Sequence, residues 1–312
     1  MPTYPIALIP DRIQSAKSAM PTVPTFTAIA PSKPSLPPQP YDTNALITYA
    51  TIGFFVSVVF VFINLVLGFV TGVLSFAVIA YLAWEMKQSF PKRKREHDDY
   101  VRSFPKLMQE HIRARAKHTE EILRVNSPEN VTEYRKNQLL LALRQTDPND
   151  GNKGKAQEGF SEARFYAHLS KYFNGKIHRG LTLKIPTYKN SYSPDFSYID
   201  RSTSLYIDIE IDEPYVYKND EPSHFVGKDD RRNNFFLDKN WVVLRFAEEQ
   251  VVRYPQECCK NVAKVIANVL GDKLELIQFV DVPDLPTIRQ WTESEAIAMS
   301  KRQYRQTYLD NN

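Results

Sequence analysis

The chain has little cysteine: among 312 residues there are 2, Cys258 and Cys259, which are adjacent in a segment with a helical pattern. Neighbouring side chains on a helix point about 100° apart, so a disulfide between them would be strained. Two thiols cannot complete a zinc site either. We therefore interpret both as reduced thiols, which excludes a disulfide-stabilised fold and agrees with a reducing cytoplasm.

Charge is missing from one long stretch, because residues 45–84 contain no Lys, Arg or Asp. One bilayer crossing needs about 20 apolar residues, so this stretch is long enough for two. A turn within 64–72 predicts helices over about 45–63 and 66–84, which together form a transmembrane hairpin at 42–86. The length argues against a signal peptide and against the alternative of a buried hairpin in a soluble protein.

Two different segments flank this hairpin. Residues 1–41 hold ten of the 21 prolines and little hydrophobic periodicity, which predicts a disordered tail. On the other side, Lys87 and the run 92–95 are basic. By the positive-inside tendency, this predicts a multi-pass integral membrane protein with its N-terminus and its globular part in the cytoplasm. The lipid bilayer is thus the first expected partner, and the basic run can also bind anionic headgroups.

A loop at 147–154 divides the rest of the chain. Before it, residues 87–154 are expected to form a basic juxtamembrane segment and a helical stalk. After it, the hydrophobic pattern predicts an α/β domain over 155–272 and a C-terminal strand and helix over 273–312. The stalk is expected to break at 126–129.

The predicted domain has the order helix, three strands, helix, strand, helix. Its predicted elements are a helix from Ser161, strands 176–185, 194–199 and 204–212, a helix at 229–239, a strand at 241–246 and a helix at 256–270. Outside it, the pattern predicts a stalk helix from Tyr134, a strand at 274–280 and a helix that Thr292 and Glu295 begin with a capping box.

Carboxylates concentrate on the third predicted strand. In 205–212, apolar residues alternate with Tyr206, Asp208, Glu210 and Asp212, which is the period of an extended strand. Three carboxylates therefore share one face, where they repel one another unless they are solvated, partly protonated or bridged by a cation. The pattern indicates a site for a divalent metal ion.

Three ordered motifs resemble those of the PD-(D/E)XK nuclease superfamily: a Pro-Asp pair with Asp195, the strand acids Glu210 and Asp212, and an arginine-rich helix before the strand 241–246. Within the superfamily, the chain is most similar to an uncharacterised branch related to very-short-patch-repair endonucleases, over residues 159–270. The resemblance implies a restriction-endonuclease-like αβββαβα domain with a central mixed sheet that hydrolyses phosphodiester bonds of DNA.

The resemblance also implies a set of site residues. Asp195 and Glu210 would hold a divalent cation, Mg²⁺ or a similar ion. Asp208 has the same acid-x-acid spacing to Glu210 and is either a second ligand or an edge residue bound to solvent, with Glu210 the favoured ligand. Glu162 resembles the additional acid that orients an attacking water. The family's lysine is replaced by Asp212, so a cation is missing from its usual place. In relatives of this branch a histidine follows the strand, here His224, which can act as a general acid or base.

Nucleic acid, as DNA, is the second expected partner. Residues 156–270 contain sixteen Lys and Arg and sixteen Asp and Glu, so strong nonspecific affinity is not implied. Ordinary surface charge is the alternative interpretation of each basic residue, and the helix arginines can instead pair with an acid of the site. Candidate phosphate contacts are Lys176, Lys184, Lys228, Arg231 and Arg232, and candidate base-stacking residues are Tyr188 and Tyr192.

The expected function is that of a membrane-anchored, metal-dependent endonuclease facing the cytoplasm. The replaced lysine supports an alternative, a nuclease-like fold that no longer cuts and acts as a tethered binding or scaffold module. A third hypothesis makes the hairpin itself the functional part, as a membrane-shaping or partner-binding element. Its lack of intramembrane charge argues against transport.

Overall fold

The computed structural model describes residues 2–151, 161–185 and 191–309. The chain divides into two compact units, Met1–Pro21 with Ser127–Asn312, and Thr22–Asn126. The helices are α1 (Asp11–Ser18), α2 (Thr43–Ile63), α3 (Leu65–Val125), α4 (Pro128–Leu143), α5 (Glu162–Tyr172), α6 (Asp230–Asp238), α7 (Glu248–Arg253), α8 (Pro255–Leu270), α9 (Glu293–Lys301) and α10 (Gln306–Leu309), and Leu274–Phe279 is a 3₁₀ helix. The strands are β1 (Thr3–Tyr4), β2 (Ile6–Leu8), β3 (Ile177–His178), β4 (Phe196–Asp200), β5 (Leu205–Asp212), β6 (Val242–Ala247) and β7 (Ile288–Arg289).

Helices α2 and α3 contain the apolar stretch. They meet at Asn64, whose side chain accepts hydrogen bonds from the backbone N–H groups of Val66 (2.9 Å) and Leu67 (3.3 Å). These bonds satisfy two of the free donors at the start of α3, so a single residue turns the chain. Both helices are long and apolar enough to cross a membrane and leave their apolar windows almost wholly exposed, which makes them compatible with membrane insertion.

Helix α3 does not stop at the end of its apolar part. It continues for 61 residues to Val125, through Pro91 and Pro105, and so joins the expected second crossing and the stalk in one element. The stalk break falls at Asn126, and α4 begins at Pro128 instead of Tyr134, because the Ser127 side chain caps it by accepting from the Asn130 N–H (3.3 Å).

The prediction of a disordered tail over 1–41 is wrong at its beginning. Strand β2 pairs antiparallel with β6, β1 pairs with β7, and α1 packs on α4. Tyr4 and Ile13 are fully buried as a result. Elements of two, three and eight residues show too little periodicity to be recognised, and their stability comes from partners more than a hundred residues away in sequence.

A five-stranded mixed sheet forms the centre of the unit that contains Ser127–Asn312. Its strand order is β2-β6-β5-β4-β3, with β5 and β6 parallel and the other neighbours antiparallel. The alternate residues Ile207, Ile209 and Ile211 pack under α5 and α8 in the main core. The opposite face of β5 carries the acids and lies under α6. The predicted mixed α/β architecture is confirmed.

Two predicted strands are wrong. The strand expected over 176–185 is limited to Ile177–His178, and Leu183 then forms an isolated bridge with Tyr192. The strand expected over 274–280 is a 3₁₀ helix, whose Phe279 ring packs against Tyr172 at 4.6 Å between centroids. Short apolar runs do not distinguish a strand from a tight helix.

The capping box at the C-terminal helix is confirmed. The Thr292 hydroxyl accepts from the Glu295 N–H (3.3 Å), and the Glu295 carboxylate accepts from the Thr292 N–H (2.8 Å). The two bonds satisfy donors at the start of α9 reciprocally.

Close packing of α2 on α3 gives a test of the hairpin. A Cβ added at Gly68 would lie 2.8 Å from the Val61 backbone nitrogen, whereas one added at Gly72 would meet the Ser57 hydroxyl oxygen at 3.7 Å, an ordinary contact. We expect Gly68→Ala to destabilise the hairpin by about 1–3 kcal/mol through overpacking. The matched Gly72→Ala variant should be close to neutral. Thermal unfolding of the full chain in detergent checks this pair, and equal effects at both positions would refute the close contact.

Candidate functional site

A cavity of about 170 Å³ lies beside the end of β5. It brings together four of the predicted site residues, Glu162, Asp195, Glu210 and His224. The other lining residues are Ser161, Ile211, Glu213, Glu248 and Arg305. Five of the nine lining side chains are carboxylates, so the cavity is strongly acidic.

Two neighbouring strands position the central pair of acids. Asp195 directly precedes β4, Glu210 lies within β5, and the antiparallel pairing of Phe196 with Ile209 sets Asp195 beside Glu210. One Asp195 oxygen accepts from the Ile211 N–H at 2.8 Å, which fixes its orientation. Glu162 reaches the same cavity from the first turn of α5.

Asp195 is in an environment that disfavours its charge. Burial and the nearby Glu210 carboxylate raise the pKa of Asp195 well above its ordinary value, and the Ile211 N–H and Arg232 oppose this only in part. A buried carboxylate beside a second carboxylate needs either a proton or a cation. Asp195 is therefore a group that either a proton or a bound cation could neutralise.

Glu210 already has a cationic partner. One Arg232 nitrogen donates to Glu210 Oε1 at 2.5 Å and to the Ser193 carbonyl at 2.8 Å. Burial opposes ionisation of Glu210, but Arg232 and Arg245 outweigh it and lower the Glu210 pKa. Of the two roles considered for Arg232, the structure shows pairing with an acid of the site, and the phosphate contact stays a prediction.

The same arginine covers Tyr192. Its guanidinium lies 5.2 Å from the centre of that ring, and Tyr192 also packs edge-on against Phe235 at 5.1 Å. These contacts give the Tyr192 ring a packing role, and its base-stacking role stays a prediction. Tyr188, the other candidate, is outside the described residues.

Asp208 is not placed as a metal ligand. It is fully buried on β5, it does not line the cavity, and its oxygens have no partner in the described part of the chain other than the neighbouring Glu210 carboxylate, with which a protonated Asp208 shares a hydrogen bond. Burial and the Glu210 charge raise the Asp208 pKa well above the ordinary value. Since both burial and the neighbouring Glu210 disfavour a charge on Asp208, and Asp208 does not line the cavity, Glu210 is the better candidate ligand.

Asp212 is neutralised within the protein. Arg245 donates to its two oxygens at 2.6 and 2.9 Å, and the Tyr4 hydroxyl donates at 2.9 Å. All three side chains are buried. The predicted catalytic role of Asp212 is thus not supported by its position, and the residue at the family's lysine position instead binds an arginine from β6.

A second group of possible ligands surrounds that arginine. Asp212, His224 and Asp229 have ligand atoms within 4.8 Å of one another, a spacing that could hold a metal ion. However, Arg245 Nη2 lies 2.6 Å from Asp212 Oδ1 and 3.2 Å from Asp229 Oδ2. Because the guanidinium already supplies the positive charge, this group is interpreted as an ion-pair network.

His224 connects this network to the cavity. Its Nδ1 lies 2.9 Å from Asp229 Oδ2 and 3.5 Å from Asp212 Oδ1, and its Nε2 lies 3.9 Å from Glu213. Burial favours the neutral ring, but the three carboxylates outweigh it and raise the His224 pKa to about 9. At neutral pH the imidazole is protonated, so the cavity wall contains one positively charged ring at His224.

Two acids of the cavity wall were not among the predicted site residues. Glu248, the first residue of α7, accepts from Arg305 Nε and Nη2 at 2.7 Å each and from the Tyr308 hydroxyl at 2.9 Å. Glu213 also lines the cavity, and burial raises its pKa. A glutamate next to Asp212 was a visible signal for Glu213, but the pairing of Arg305 with Glu248 spans 57 residues and has no local signature.

The remaining basic candidates separate into two groups. Lys176 is held by Glu275 at 2.9 Å and Asp200 at 3.3 Å, which favours a structural ion pair. Lys184, Lys228 and Arg231 are exposed and stay candidate phosphate contacts.

Comparison of the chain with protein-family models, curated proteins and solved structures finds no match. The family resemblance therefore remains a prediction, and function must be inferred from the chemistry of the cavity.

The raised pKa of His224 predicts a pH-dependent contribution to stability. A group with a raised folded-state pKa stabilises fully below its unfolded value, about 6.5, and loses this contribution as pH rises through the folded value of about 9. We expect the thermal stability of the wild type to fall between pH 6.5 and 9.5 more steeply than that of His224→Asn. Asparagine tolerates the positive φ of 45° at this position. Parallel pH profiles would contradict the prediction.

The pairing of Arg305 with Glu248 predicts a structural role for the C-terminal segment. Arg305→Ala leaves buried Glu248 beside other acids without its guanidinium, which we expect to cost about 3–5 kcal/mol of unfolding free energy. The double variant Arg305→Met with Glu248→Met removes both charges and should recover much of that loss. Denaturant unfolding measures both, and an Arg305→Ala protein as stable as the wild type would exclude the role.

Proposed function

We propose that this protein is a membrane-anchored, metal-dependent endonuclease that hydrolyses phosphodiester bonds of DNA on the cytoplasmic side of the membrane. The observation that carries the proposal is the meeting of Asp195 and Glu210, from neighbouring strands, with Glu162 in one small cavity. Magnesium is the proposed ion, because a hard divalent cation prefers oxygen ligands.

The order of the elements supports this interpretation. Helix α5 is followed by β3, β4 and β5, then by α6, β6 and α8, and β6 is parallel to β5. This is the αβββαβα arrangement that the sequence resemblance implies. The two proposed ligands lie at the start of β4 and within β5, as the motifs require.

The cavity suits a cation because its own positive groups are largely engaged. Arg232 forms an ion pair with Glu210, and Arg305 forms one with Glu248. Asp195 lies beside Glu210 and has a raised pKa. When bound, a divalent cation would neutralise charge that builds up on the phosphodiester and would acidify a water molecule for in-line attack. Asp195 and Glu210 would hold it.

The protein side chains supply the remaining requirements. The Ile211 N–H orients Asp195, and Arg232 keeps Glu210 ionised. Glu162 is placed to orient a water in the cavity. Protonated His224 provides a positive charge on the wall and can donate a proton to a leaving oxygen, which compensates for the lysine that the family pattern lacks.

Membrane anchoring completes the proposal. The two apolar helices would span the bilayer as a hairpin. The basic residues that follow it would keep the start of α2 and the end of the apolar part of α3 on the cytoplasmic side. Exposed Lys184, Lys228 and Arg231 are the proposed DNA contacts.

One observation favours a second candidate function. Glu210 is already neutralised by Arg232, and a guanidinium also holds Asp212 at the position of the family's lysine. A cavity neutralised in this way suits a nuclease-like fold that binds without cutting. The alternative is therefore a membrane-tethered binding or scaffold module.

A cleavage assay tests the proposed function. Full-length protein in lipid nanodiscs is incubated with supercoiled plasmid and with single-stranded circular DNA, in Mg²⁺ or in a chelator. The full chain is needed because β1 and β2 belong to the globular unit. We expect Mg²⁺-dependent cutting that Asp195→Asn and Glu210→Gln each reduce at least about 100-fold, because each removes a ligand oxygen charge.

Asp208→Asn is the matched control, because Asp208 lies on the same strand but does not line the cavity. It should keep activity within a few fold of the wild type. Cutting that survives in the Asp195 and Glu210 variants would remove the site assignment. No cutting of either substrate by the wild type would favour the scaffold.

A further inference from the structure

Two prolines within α3 raise a question of stability. An interior proline removes one backbone hydrogen bond, clashes with the preceding turn and costs about 3 kcal/mol. Pro91 and Pro105 both lie inside α3, yet the helix is unbroken to Val125. In the part of α3 that follows the apolar stretch, no second helix is packed alongside within the described residues of this unit.

The proline-rich segment 22–41 supplies a partner for this part of α3. Near one end of the segment, the Pro24 carbonyl lies 2.8 Å from His118 Nε2. The Phe26 ring packs against His118 and His111, at 5.2 and 5.5 Å between ring centres. The segment and the helix belong to the same compact unit.

The contacts continue towards the other end in antiparallel order. The Tyr100 hydroxyl donates to the Ser32 carbonyl at 2.6 Å, and His97 Nε2 lies 2.9 Å from the Ser35 carbonyl. Pro105 lies between the two groups of contacts, so the segment bridges the helix on both sides of that proline.

The spacing of these contacts identifies the conformation of the segment. From Pro24 to Ser35 the segment advances 11 residues while the helix retreats 21 residues, from His118 to His97. Twenty-one helical residues span about 32 Å, so the segment rises about 2.9 Å per residue. This is close to the rise of a polyproline II helix, about 3.1 Å, and the prolines at 31, 34, 37 and 40 recur with its three-residue period.

The contacted face of α3 is a regular stripe. His97, Phe104, His111 and His118 recur every seven residues, which places them along one side of the helix. All four are half-buried, whereas most of the neighbouring stalk residues are exposed. Three of the six histidines in the chain thus lie on this stripe.

We propose that residues 24–40 are a strut for α3: they lie in a polyproline conformation on the histidine stripe and hold the helix straight across Pro105. The strut stiffens the part of the chain that leads away from the membrane-spanning helices. It needs no catalytic activity and is independent of the proposed function.

Distance measurements between spin labels test the strut. Lys94→Cys and Lys117→Cys place labels on exposed positions on both sides of Pro105, and the native Cys258 and Cys259 are buried. The two sites are 23 residues apart, about 35 Å along a continuous helix. In the otherwise unaltered full chain we expect one narrow distribution near that distance.

The test variant replaces residues 24–40 by a Gly/Ser sequence of equal length. We expect its distance distribution to broaden and shift to shorter values, and amide exchange in 97–118 to rise at least tenfold. The milder variant Phe26→Ala should change both in the same direction. The matched control Ile29→Ser with Leu36→Ser alters side chains that are 93% and 90% exposed and should change neither. An unchanged distribution and unchanged exchange after the Gly/Ser replacement would overturn the proposal.

Discussion

The neutralisation of buried carboxylates is the constraint on which the globular unit depends. Asp208, Glu210 and Asp212 share one face of β5, and all three are buried. Such a row is stable only when each charge is removed or compensated. The environment of each of the three is different: burial and the Glu210 charge raise the pKa of Asp208, Arg232 pairs with Glu210, and Arg245 and Tyr4 bind Asp212.

This constraint explains why the two ends of the chain belong to the fold. Tyr4 comes from the N-terminal strands and donates a hydrogen bond to Asp212. Arg305 comes from the C-terminal segment and forms an ion pair with Glu248. Both are buried within the same unit. Asp195 has no such cationic partner of its own among the described residues, and burial beside Glu210 raises its pKa, which is the physical basis for the proposed cation.

Much of the architecture could be predicted from local patterns. The alternation in 205–212 predicted β5 to within one residue, and the uncharged run 45–84 predicted the two apolar helices. The elements that were missed are those without a pattern of their own. Strands β1 and β2 are too short to be periodic, and the contacts of the proline-rich segment depend on helix residues 62 to 94 positions later in the sequence.

The candidate site was predictable to a similar extent. The motif spacing selected Glu162, Asp195, Glu210 and His224, which share one cavity. The spacing could not show that Asp208 and Asp212 do not line that cavity. Residues on the same face of a strand can contact different neighbours. What decides their roles is the position of Arg232 on α6 and of Arg245 on β6, and this depends on tertiary packing.

Direct titration with Mn²⁺, followed by electron paramagnetic resonance, tests the central claim most directly, because it detects binding without requiring a substrate. The account predicts one bound ion per chain in the full-length protein, lost in Asp195→Asn and kept in Asp208→Asn. Equal binding by the wild type and Asp195→Asn, or no binding by either, would contradict it.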